Sequence, residues 1–175
     1  MDISSETGDS RSATLMLHLL GRCNLTCLHC YMEGSPLRRE QLPLEWVLRS
    51  VAECEPLGIG ALYLTGGEPL LYPSLRRVLE STASTSGLKV TVCTNGTLIT
   101  SDWAALLRET GAQVNISIDG DAEFHDHFRN LHGSFRAAER GVRILVQAGI
   151  PVTIISTISR RNRHCLASLA AWAAK

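Results

Sequence analysis

At 175 residues, 45% of them hydrophobic, the chain can bury one good core, which predicts a single domain. With 17 basic against 17 acidic residues the formal net charge is zero, so neither nucleic acid nor an acidic membrane is an expected partner. No stretch approaches the roughly 18 consecutive apolar residues of a membrane span, and no apolar signal segment precedes the cysteines, so a reducing cytoplasm is the expected compartment.

Residues 1–12 are polar and read as a flexible N-terminal tail. The first strand pattern, Leu15-Met-Leu17-His-Leu19-Leu, runs directly into Cys23-Asn-Leu-Thr-Cys27-Leu-His-Cys30-Tyr31. Leu44, Val47, Leu48 and Val51 then follow a helical period after Pro43. A second strand around Leu62–Leu64 ends in Gly66-Gly67-Glu68-Pro69, and a third around Val90–Val92 ends in Asn95-Gly96. Trp103, Leu106 and Leu107 predict a helix that Thr100 or Ser101 can cap. The fourth strand, Val114–Ile118, ends in Asp119-Gly120. A helix with Phe135, Ala138, Val142, Leu145 and Val146 follows Ser134 as its expected cap, and the fifth strand starts at Val152. The chain finishes in a helix pattern from Leu166. Gly58, Gly87, Gly111 and Gly149 stand where helices should close.

Strands alternating with amphipathic helices predict an α/β fold with a parallel sheet and right-handed crossovers. Five strand units are visible and a sixth is not. One face of the strands is apolar (Leu15/Leu17/Leu19, Val90/Val92, Val114/Ile116/Ile118). The other carries Thr14/Met16/His18, Thr91/Cys93/Asn95 and Asn115/Ser117/Asp119. A sheet curved into a partial barrel would turn that second face inward around a bound polar molecule, since an unfilled polar lumen is costly. An open sheet with one wet face is the alternative. The run Arg160-Arg-Asn-Arg163-His is locally positive and reads as a solvated loop after a strand, with a phosphate site as the alternative.

Thiolates are the usual ligands of iron–sulfur clusters, and a cubane takes four. The loop supplies Cys23, Cys27 and Cys30, which leaves one iron for an outside ligand. Cys54, Cys93 and Cys165 have no flanking ligand motif and read as structural. Zinc held by the three thiolates with His18 or His29 is the competing reading.

The Cys-x3-Cys-x2-Cys run after a first strand, with Gly-Gly-Glu-Pro after a second, resembles the radical S-adenosylmethionine (SAM) superfamily. The resemblance implies a partial (β/α)6-type TIM-like barrel, with Cys23, Cys27 and Cys30 holding a [4Fe–4S] cluster. Its open iron would chelate the amino and carboxylate groups of SAM. An electron from an external donor of the flavodoxin or ferredoxin type would then cleave SAM to a 5′-deoxyadenosyl radical that abstracts hydrogen from a substrate. By the same resemblance Gly66, Gly67, Glu68 and Pro69 form the turn facing the SAM amino group. His29 or Tyr31 lies against adenine, while Asn95, Ser117 and Asp119 lie near methionine and ribose.

The stretch His125-Asp126-His-Phe-Arg129 followed by Gly133-Ser-Phe135 resembles the SPASM or twitch branch, whose substrates are peptides or tetrapyrrole-like molecules. Arg129 would bind a carboxylate of SAM or substrate, or else make a surface ion pair with Asp126 or Glu123. Residues 13–175 are therefore expected to form a radical SAM core domain that is incomplete at its C-terminus. The alternative is a truncated or partner-dependent iron–sulfur and SAM-binding module without activity of its own.

Overall fold

The computed structural model describes residues 13–174; the tail expected over residues 1–12 lies outside the described residues, as does Lys175. Five strands form one sheet: β1 (Ala13–His18), β2 (Ile59–Thr65), β3 (Lys89–Thr94), β4 (Gln113–Ser117) and β5 (Val152–Ile155). They lie side by side in chain order and every pair is parallel. The crossovers run through α1 (Leu44–Cys54), α2 (Leu75–Ala83), α3 (Ser101–Thr110) and α5 (Ser134–Gln147). A short α4 (Ala122–Phe128) precedes α5, and α6 (Leu166–Ala173) follows β5.

Strands in chain order with right-handed crossovers put the connecting helices on one face. The register makes that face apolar: Leu17, Leu64, Val92, Val114 and Val152 align across all five strands. Leu64, Val92 and Val114 are fully buried, and they share one core with Val47, Leu75, Leu79, Leu107 and Leu145. Each such side chain contributes about 1.5–3 kcal/mol of transfer free energy. One residue back along the strands, Met16, Tyr63, Thr91 and Gln113 align on the opposite face, as the two-residue strand period requires.

Local chemistry explains the helix ends. Thr100 Oγ1 accepts from the Trp103 amide and caps α3, whose far end closes on Gly111 at φ 70°. Ser134 does not cap α5; it is the first helical residue, and the cap comes from another element. Asp126 Oδ1 accepts from the Ser134 hydroxyl at 3.0 Å and the Phe135 amide at 2.8 Å. Burial pushes the Asp126 carboxyl up, but the Phe135 and Gly133 amides and the Ser134 hydroxyl outweigh it and hold it below the usual range.

Helices α2 and α4 add to the elements read from the sequence. For α2 the signal is present, since Leu75, Val78, Leu79 and Thr82 are its buried stripe. In α4 only His125 and Phe128 are buried, which leaves no apolar period to see. No helix among the described residues is long and apolar enough to cross a membrane.

Helix α5 passes so close to the turn after β3 that a Cβ on Gly141 would lie 2.3 Å from the Gly96 carbonyl oxygen. Gly141→Ala is expected to destabilise the fold by about 1–3 kcal/mol. The check is a lower urea midpoint with an unchanged slope.

Candidate functional site

Between β1 and α1 the chain forms no helix and no strand beyond two isolated bridges, Leu20 with Gln41 and Arg22 with Ser35. This segment carries Cys23, Cys27 and Cys30, all unpaired thiols. Its shape is imposed from two sides.

The turn after β2 and the end of β3 hold the first side. Gly67 and Glu68 donate their amides to the carbonyls of Leu20 and Arg22, at 2.7 and 2.9 Å. A Cβ on Gly66 would meet the Leu20 oxygen at 2.5 Å, and one on Gly67 the Arg22 oxygen at 2.2 Å. The close approach that these glycines permit is thus to the cysteine segment's own backbone. Glu68 is fully buried, and its carboxylate accepts from the Thr94 hydroxyl at 2.7 Å, the Asn95 amide at 2.9 Å and the Leu70 amide at 3.1 Å. Burial pushes that carboxyl up, and the three donors oppose the shift. Pro69 starts the short 3₁₀ turn that Glu68 caps. Asn95 Nδ2 donates to Asn24 Oδ1, Asn24 donates to Thr97 Oγ1, and Thr97 donates back to Asn95 Oδ1.

The end of α4 holds the second side, over four successive residues. Asn130 donates to the Thr26 hydroxyl, and Arg129 Nη1 points at Cys27 Sγ from 3.8 Å. The Leu28 amide donates to the Phe128 carbonyl at 3.0 Å. His29 lies flat on the Phe128 ring, with centroids 3.9 Å apart and 9° between planes. Burial, with the Arg129 charge, pushes the His29 imidazole pKa down, which favours its neutral form.

All three sulfurs receive N–H donors: Cys23 from the Leu25 amide (3.4 Å) and Asn95 Nδ2 (3.9 Å), Cys27 from Arg129, and Cys30 from the Gly34 amide (3.3 Å). Cys54 and Cys165 do the reverse, donating to the Ser50 carbonyl and to Asp121 Oδ2. Accepting sulfurs suit thiolate ligands, and donating sulfurs are thiols. Cys93 also accepts, from Asn115 Nδ2 at 3.8 Å, but it does so from mid-strand, outside the segment. Without a metal, burial pushes the Cys23 thiol up to about 11 and raises Cys27 as well, although Arg129 pulls Cys27 down. Among the described residues no three His, Cys, Asp or Glu side chains converge on a point that could hold a single metal ion. In a cubane each thiolate takes its own iron.

The remaining residues singled out from the sequence fall as follows. Asp119 and Arg129 form a buried ion pair, Nε to Oδ2 at 2.7 Å, with side-chain exposures of 0% and 10%. Arg129 thus pairs with neither Asp126 nor Glu123; Asp126 is occupied at the start of α5. Asp119 Oδ1 also accepts from the Thr157 amide, and its carbonyl accepts from Asn162. Ser117 ends β4 half-buried. Tyr31 is 78% exposed, and its ring meets that of His18 in a T-shaped contact with centroids 6.1 Å apart.

Sequence reasoning missed Asn24, Thr97, Phe128 and Asn162. The first three adjoin motif residues and could have been suspected. Asn162 could not: it is fully buried while Arg160, Arg161 and Arg163 around it are exposed, as a solvated run should be.

Fold and site together define an α/β protein with a clamped three-cysteine segment at the C-terminal edge of a parallel sheet. The chain belongs to the radical SAM superfamily, whose profile matches residues 17–173. It is 36% identical over 147 residues to the AdoMet-dependent heme synthase of Methanosarcina barkeri, across 82% of this chain and 42% of that protein. The subtilosin biosynthesis protein AlbA of Bacillus subtilis is 31% identical over 163 residues, 89% of this chain and 36% of AlbA. Streptococcus suis SuiB, solved with its precursor peptide SuiA, superposes with a TM-score of 0.81 over 93% of this chain and 37% of SuiB. At 17% identity that likeness concerns the fold, the partial barrel. The chain spans less than half the length of these relatives. The family's cofactors are a [4Fe–4S] cluster and SAM, and three N–H-bonded sulfurs carried by one clamped segment fit the cluster.

His125 locks the same edge, since its Nδ1 accepts from the Asp119 amide at 3.2 Å. It is 1% exposed, and burial pushes its pKa from 6.5 down to about 4, with Arg129 adding to the shift. Between those values the unfolded chain binds a proton that the folded chain refuses, so stability present above 6.5 is lost as pH falls. The loss from this group between pH 7 and pH 4 is about 3 kcal/mol. Urea midpoints measured across that range should fall less steeply for His125→Gln than for the wild type.

Proposed function

We propose that this chain is the SAM-cleaving part of a radical SAM enzyme. Cys23, Cys27 and Cys30 hold a [4Fe–4S] cluster that, when bound, supplies one electron to cleave SAM into methionine and a 5′-deoxyadenosyl radical. The observation that carries this reading is the donor set, three sulfurs under N–H groups in a segment clamped from both sides.

The protein's own part is positioning. Carbonyl oxygens of the Gly66–Gly67 turn offer acceptors to the SAM ammonium. Glu68 acts from behind them, fixing the turn to β3 and adding negative charge, and Pro69 stiffens the exit. Asn95 sets the height of Cys23, and Ser117 faces the methionine and ribose side from β4. Asp119 serves that side indirectly by orienting Arg129, whose cationic head faces the carboxylate end of SAM. His29, neutral and braced by Phe128, presents an aromatic surface to adenine, with Tyr31 free to close over it. A flavodoxin or ferredoxin-type donor supplies the electron in a cytoplasmic setting.

The substrate is a peptide or a tetrapyrrole-like molecule. What supports both classes is that the relatives include a heme synthase and a bacteriocin biosynthesis protein. The chain's short span relative to them supports a second reading, a module that binds cluster and SAM yet needs further chain or a partner for turnover.

Anaerobic reconstitution with iron and sulfide, followed by dithionite and SAM, distinguishes these. Formation of 5′-deoxyadenosine is expected from the wild type and from Cys54→Ala. Cys23→Ala, Cys27→Ala and Cys30→Ala should each lose the cluster's absorbance and at least 100-fold of the cleavage, on the order of what other ligand-shell losses cost. SAM binding without cleavage would favour the module. Zinc retained in place of a cluster would overturn both.

A further inference from the structure

We infer that Arg129 and Asp119 form a charge-setting pair for the cluster, with Arg129 as a positioning residue that tunes the reduction potential through Cys27. This rests on the three cysteines holding an iron–sulfur cluster, and it assigns a task to the one buried ion pair found at this edge among the described residues.

The geometry is directional. Arg129 stands at the C-terminal end of α4, its amide bonded to the His125 carbonyl at 2.8 Å, so its origin is fixed. Its Nε is committed to Asp119 Oδ2 at 2.7 Å, and the planar guanidinium then aims Nη1 at Cys27 Sγ, 3.8 Å away. Asp119 is itself immobile. Its Oδ1 accepts from the Thr157 amide, its own amide donates to His125, and its carbonyl accepts from Asn162, so α4 and the loop after β5 hold it. Both side chains are nearly removed from water, where a fixed charge is felt at far less screening than on the surface.

An iron–sulfur cluster gains one negative charge on reduction, and its potential follows net charge and hydrogen bonds to its sulfurs. A guanidinium donating to a ligand sulfur favours the reduced form. The carboxylate behind it cancels part of that effect. The pair therefore sets an intermediate potential, and its two members act with opposite signs. A purely structural clamp has no such sign.

The test is a midpoint potential, read by EPR-monitored redox titration of anaerobically reconstituted protein without SAM. Arg129→Gln should shift the potential downward, Asp119→Asn should shift it upward, and Arg129→Lys, which keeps the charge, should lie nearer the wild type than Arg129→Gln does. Unchanged potentials, or shifts of the same sign for Arg129→Gln and Asp119→Asn, would overturn the inference. If Arg129→Gln holds no cluster, Asp119→Asn decides alone: a value above wild type supports the pair, and one at or below it does not. A wild type that takes up no cluster would instead defeat the cluster assignment itself, a separate failure seen before any variant is made.

Discussion

Three sulfurs are carried by a segment that has no helix or strand of its own. Everything near the sheet edge follows from that constraint. A regular element brings its own hydrogen bonds, whereas an irregular one leaves backbone groups to be satisfied by neighbours. Here the neighbours are the β2 turn, the end of β3 and the end of α4. Each supplies partners one residue at a time along positions 20 to 29. The central member is Glu68. A carboxylate with no exposure is costly unless donors surround it, and its three donors lie on both sides of the β2–β3 seam. Removing that carboxylate would orphan the Thr94 hydroxyl and the Asn95 amide together.

The fold makes such clamping inexpensive. In a parallel sheet whose strands lie in chain order, every strand ends at the same edge, and each outgoing turn is already beside its neighbour's. The apolar row from Leu17 to Val152 fixes strand height from the other face. Turns at Gly66, Asn95 and Asp119 therefore arrive level, and short side chains suffice to join them. Glycine at 66 and 67 is required by packing, because the cysteine segment's carbonyls occupy the space a Cβ would take.

This division explains what was legible beforehand. Periodicity exposed the five strands and the long helices, since burial on one face leaves a trace in the order of residues. The cysteine spacing and Gly-Gly-Glu-Pro pointed to the cofactor class because each motif is contiguous. Partnerships between distant residues left no such trace. Glu68 and Asp119 read as ligand-facing groups, yet the carboxylate of each is engaged by the protein, because a buried anion takes whatever donors the fold brings to it. Asp126 as the cap of α5 was equally hidden. The local candidate Ser134 looked sufficient, and only the folded α4 brings a better acceptor to that helix start.

Charge at the edge converges on one cation. Arg129 pulls the Cys27 thiol and the Glu68 carboxyl toward their anionic forms while helping to keep His29 and His125 neutral. A single guanidinium can do all four because it sits where α4 meets the cysteine segment, and Asp119 keeps it there. Neutral imidazoles matter in such a place. A charged His29 or His125 would add positive charge beside the sulfurs that Arg129 already faces. The edge thus holds an anchored positive charge against Cys27, and the buried Glu68 carboxylate stands within its reach.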